Sequence, residues 1–133
     1  MPAVHPRRAS GPVMRLPILA VAALALASTA PAVAQQPAQL SAEQKTLVRC
    51  SAAFALAANK QENGDRSLGE IPELRARGQE YFVRAMAQIM DAKALDREAV
   101  TALLKAEVAD LATDDTLAKA MPDCMLSLEA SGL

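Results

Sequence analysis

The sequence predicts an all-α domain, a small antiparallel bundle of about four helical segments closed by one disulfide. Three observations carry that expectation. Beyond residue 34 the chain is rich in Ala, Leu, Glu, Lys, Arg, Gln and Met, which favour helices, and poor in aromatic and β-branched residues. Apolar side chains recur three or four positions apart in several stretches, the spacing of one helix face. Cys50 and Cys124 stand 74 positions apart with no CxxC pair, behind an export signal. An even cysteine count in an oxidising compartment reads as one structural disulfide.

Residues 1–15 carry Arg7, Arg8 and Arg15 and no acid, and Leu16–Ala27 is apolar apart from Pro17. Ala32-Val33-Ala34 follows as a small-residue cleavage site, so residues 1–34 read as a signal peptide cut before Gln35. The apolar run is too short for a comfortable membrane span, and the mature protein is expected to be periplasmic or secreted and not membrane-spanning. Met14 begins a self-sufficient signal of its own, and either start leaves the same mature chain. Cleavage takes three of the 14 basic residues and none of the 15 acids, leaving a net charge of −4. That balance argues against nucleic acid and anionic membranes as partners, since both need clustered basic charge.

Residues 35–40 are expected to be a flexible polar tail, and residues 41–133 a single helical domain. Ser41-Ala42-Glu43-Gln44 fits a capping box for a first helix from about Ala42 to Glu62. Along it Leu47, Cys50, Phe54, Ala57 and Ala58 share a stripe, so Cys50 is expected to be buried beside Phe54. Asn63-Gly64 supplies the stop. Pro72 suits the first turn of a second helix, in which Leu74, Gly78, Phe82, Ala85 and Ile89 form the packed face. Gly78 on that face predicts a close helix crossing, and Tyr81, beside the stripe, is expected to be partly exposed. Glu73/Arg77 and Glu80/Arg84 read as i,i+4 ion pairs.

Asp96 caps a third helix over Arg97–Ala112, with Val100, Leu103, Leu104, Val108 and Leu111 on its apolar side. Thr113-Asp114-Asp115 offers a further cap, with Asp115/Lys119 as another ion pair. Pro122 is expected to divide the last segment into a short helix over 115–120 and another from Pro122 to about Ala130. Phe54, Tyr81 and Phe82 are the aromatics of the domain, so the core is thin.

No enzyme motif emerges. His5, the one histidine, leaves with the signal, which removes His-ligated metals and Ser/His or Cys/His catalysis. Glu70, Glu73, Glu80, Glu107 and Asp110 read as solvated helix faces rather than a paired-carboxylate site. Ser51 and Ser127 have neither SxxK nor GxSxG context. Met86/Met90 and Met121/Met125 lie at helical spacing, and with Cys124 they suggest a Met/Cys copper-binding alternative. No metal site and no cofactor is otherwise expected.

The run Arg49-Cys50-Ser51-Ala52-Ala53-Phe54-Ala55, with Gly78-Gln79-Glu80-Tyr81-Phe82-Val83 and Pro122-Asp123-Cys124, resembles a family of small secreted two-cysteine helical bacterial proteins of no assigned activity. The resemblance implies the helical fold and the disulfide and brings no catalytic residues. In size and cysteine count the chain is also similar to periplasmic acid-stress chaperones. The expected function is therefore non-enzymatic, through binding of a protein partner or envelope maintenance, with Gly78, Tyr81 and Phe82 as the candidate surface. A periplasmic stress chaperone is the alternative beside the copper reading.

Overall fold

A capping box starts the first helix as the sequence predicts. Ser41 Oγ accepts from the Gln44 amide at 3.2 Å, and Gln44 Oε1 accepts from the Ser41 amide at 3.0 Å. The computed structural model describes residues 39–133, so residues 1–34, read above as a signal peptide, and most of the expected tail lie outside the described residues. Of the tail, Leu40 packs against the core. The described chain forms four helices and no strand: α1 (Ala42–Glu62), α2 (Arg75–Lys93), α3 (Arg97–Asp110) and α4 (Asp114–Ala130).

α1 is the hub, packing against each of the other three helices. Its buried residues, Val48, Cys50, Ser51, Ala52, Ala53, Phe54 and Ala57, fall almost all the way round the helix. A helix buried on every side belongs at the centre of a fold. Most of these side chains are small, which lets three neighbours approach one axis. Phe54 supplies the bulk, meeting the Tyr81 ring edge-on with centroids 5.1 Å apart. Leu74, Ile89, Leu111, Leu117 and Leu128 complete the core from the surrounding elements.

α4 runs back along α1, joined by Cys50–Cys124 near its end and by a 2.7 Å ion pair from Lys60 to Asp114 at its start. The helix is continuous through Pro122, which corrects the expected division. Pro122 and Ala118, whose carbonyl loses its amide donor, both lie on the exposed face. The freed acceptor is therefore open to solvent, while Leu117, Ala120, Met121, Cys124 and Leu128 hold both halves to the core.

α2 begins at Arg75, three residues later than Pro72 suggests. Gln61 of α1 holds the preceding chain instead: its Nε2 donates to the Ile71 and Pro72 carbonyls, and its Oε1 accepts from the Leu74 amide. Glu73 accepts from the Arg75 amide, the first of α2, rather than pairing with Arg77, and the N-cap residue Leu74 has no side-chain cap bond. Glu80–Arg84 and Asp115–Lys119 form as expected, each at 2.7 Å. α3 is capped by Asp96, whose Oδ1 accepts from the Ala99 amide, and α4 by Thr113.

Gly78 sits where α2 crosses α1. A Cβ added there would stand 3.0 Å from Phe54 Cβ, an atom fixed to the α1 backbone. Gly78→Ala gains about 1 kcal/mol of helix propensity and loses about 1–3 kcal/mol to overpacking. A net loss of about 1 kcal/mol is expected, read from urea unfolding curves of the two proteins.

Candidate functional site

The residues singled out in the sequence fall into two places. Cys50 and Cys124 are each 1% exposed and bonded to one another, with sulfurs 2.09 Å apart. The bond lies inside the core and points to an oxidising, exported location. It also occupies the one sulfur that could have joined the methionines as a thiolate ligand. Met86 and Met121 are buried, and Met90 and Met125 are packed against the core. Among the described residues, no three His, Cys, Asp or Glu side chains converge as a metal site would require.

The Gly78, Tyr81 and Phe82 surface is reorganised by the structure. Tyr81 is 2% exposed, with its hydroxyl 2.7 Å from Ser127 Oγ on α4, so it is a core residue and not a partly exposed one. Burial pushes its phenol pKa up, against the opposing effect of Ser127. Phe82, expected at the centre of the packed stripe, is half-buried instead. The hydroxyl decides the exchange: a tyrosine goes inward where a polar partner waits, and the partner is remote in sequence.

Phe82 and Gly78 border a groove of about 410 Å³ between α1 and α2. Phe54, Leu74 and Phe82 give it apolar walls, and Ala55, Ala58 and Gly78 give it depth. Asn59 stands on its α1 rim and Gln79 on its α2 rim. Glu62 and Arg75 pair with Oε1 and Nε 3.3 Å apart, which leaves the rim without net charge.

Ser51, which has no nucleophile context in the sequence, also lines this groove. Its residue is 0% exposed and its Oγ has no hydrogen-bond partner. Helical hydroxyls commonly return to the carbonyl four residues back, as Thr46 does to Ala42 and Thr101 to Arg97. Ser51 does not. A buried unpaired hydroxyl costs about 1–3 kcal/mol. The small-residue spacing Ser51, Ala55, Ala58 was the available sequence signal.

A larger cavity of about 510 Å³ lies beneath the 63–74 loop, but much of its wall is that loop, and Lys60 and Asp65 in it are already engaged. Lys60 donates to Asp65 and Asp114 at 2.7 Å each. Asp114 and then Asp65 raise the lysine pKa. The Lys60 ammonium, with the Ser67 amide and hydroxyl, lowers the Asp65 carboxyl to about 2. On the opposite half of α1, Arg49 joins Asp110 at 2.6 Å and Glu107 at 3.0 Å, and its pKa is raised by Asp110 first. Two of the sequence carboxylates thus serve to bind α3 to α1.

Comparison with protein-family models, curated proteins and solved structures found no match to this chain. No helix among the described residues is long and apolar enough to cross a membrane.

The Asp65 link makes a pH dependence with a definite sign. A carboxyl held below its ordinary value stabilises the fold fully above about pH 4, and that contribution is lost as pH falls toward about 2. Asp65→Asn is expected to flatten the fall in melting temperature across that window, read by circular dichroism. An equally steep fall in the variant would contradict the assignment.

Proposed function

We propose that this protein is an exported, non-enzymatic helical domain that acts in the periplasm or outside the cell by binding another protein, in partner recognition or envelope maintenance. The observation that carries the reading is the α1/α2 groove, lined by residues of both helices, with a polar rim that carries no net charge. Apolar walls with a few placed polar groups are what recognition sites present. The candidate surface becomes Gly78 and Phe82 with their α1 neighbours, while Tyr81 supports it from within. The family of small secreted two-cysteine proteins that the chain resembles belongs to the same proposal.

A stress-chaperone reading is favoured by one separate observation, the Lys60–Asp65–Asp114 link. It ties the 63–74 loop and the start of α4 to α1 through carboxylates, and protonating them would loosen both. Dye binding that rises with lost tertiary signal and retained helicity at low pH supports that reading. No such change would count against it.

Photo-crosslinking tests the main reading. A benzophenone side chain at Gln79, on the groove rim, is expected to trap a defined partner in cells, whereas one at Leu126, 66% exposed on α4 and outside the groove, is not. Phe82→Ala is expected to weaken the recovered complex roughly tenfold or more, as loss of an aromatic anchor does. Equal trapping from both positions would remove the groove from the proposal.

A further inference from the structure

The groove has a floor, a rim and an unused donor, and together these limit what it accepts. We infer that its occupant is an extended, uncharged, apolar segment of a partner polypeptide, whose backbone carbonyl takes the Ser51 hydroxyl. This deepens the proposed function and rests on it.

Hydrogen-bond complementarity carries the inference. Ser51 Oγ is buried and has no partner in the groove wall, so it offers a donor that the free protein does not use. An extended segment carries backbone carbonyls that can accept such a donor, whereas a helical segment has spent all but its last four internally. The rim fits the same occupant. Asn59 of α1 and Gln79 of α2 both line the groove and both are exposed, and a side-chain amide both donates and accepts, as an extended backbone requires. Asn59 Oδ1 already accepts from Asn63, which leaves its amide donors for the segment.

Charge sets the sequence class. The Glu62–Arg75 pair cancels at the rim, so neither acidic nor basic side chains find a counter-ion there. Phe82, Ala55 and Ala58 present the accessible apolar surface of the groove, backed by the fully buried Phe54 and Leu74, and Gly78 adds no side chain to fill it. Ser51 has no exposed surface, so the segment reaches it only when the wall yields.

Fluorescence anisotropy of the oxidised protein with a short, acetylated and amidated fluorescein-labelled peptide of Leu, Phe, Ser and Gly tests this. Saturable binding is expected, with Ser51→Ala weakening it about five- to tenfold, the loss of one neutral hydrogen bond. The same variant is expected to keep or raise the melting temperature, because it deletes an unpaired buried hydroxyl. A purely structural Ser51 would instead lower the melting temperature and leave peptide affinity unchanged, which would overturn the inference. A hydrocarbon-stapled helical peptide of the same composition is expected not to compete, and equal competition would also overturn it. A partner trapped at Gln79 that the extended peptide fails to displace would refute this occupant while leaving the proposed function in place.

Discussion

The Cys50–Cys124 bond matters as much as it does because of the helix to which it is attached. α1 is buried around most of its circumference, yet the side chains that make it so are mainly Ala, Ser and Cys. Small side chains allow three helices to converge, but each removes little apolar area from water. A hub built this way gains close approach at the expense of burial. The disulfide compensates through the unfolded state: closing a loop of about 75 residues is worth roughly 4–5 kcal/mol in the chain-entropy account. That is comparable with the whole net stability of a small domain. α4 meets α1 through this bond together with its own buried face, Leu117, Ala120, Met121 and Leu128, and the Lys60–Asp114 ion pair, so the bond locks a contact that packing has already formed.

The same economy of side-chain size creates the groove. Gly78 brings α2 onto Phe54 at the crossing, and beside that contact Ala55 and Ala58 leave space that larger residues would have filled. Ser51 then lies in a wall where a hydroxyl has nothing to bond. A fold seeking stability alone would place alanine there, as it does at the next two residues, Ala52 and Ala53. The unpaired donor, the missing volume and the neutral rim are three consequences of one helix crossing.

What was legible in the sequence is what depends on near neighbours in the chain. Ser41, Asp96 and Thr113 announce their helices because a cap is a contact over three residues. The disulfide was legible because two cysteines behind an expected export signal, with no CxxC pair, have few alternatives. The start of α2 was not, because Gln61, on another helix, satisfies the backbone that Pro72 would otherwise have led into a helix. Pro122 misled for a related reason: its cost depends on whether the freed carbonyl faces water, and tertiary packing decides that. Tyr81 and Phe82 exchanged roles because Ser127 lies 46 positions away, and only the fold brings its hydroxyl to the phenol. Ser51 was the residue of consequence that spacing could have flagged and did not.

The central claim is that the disulfide makes good the thin burial of a small-residue hub. Urea unfolding of the oxidised protein and of the Cys50→Ala/Cys124→Ala double variant, followed by hydrogen exchange of both, measures it most directly. The account predicts a loss of about 4 kcal/mol in the variant, with amide protection falling first in α4 while α1 and α2 keep theirs longest. Unchanged stability, or protection lost first between α1 and α2, would contradict it.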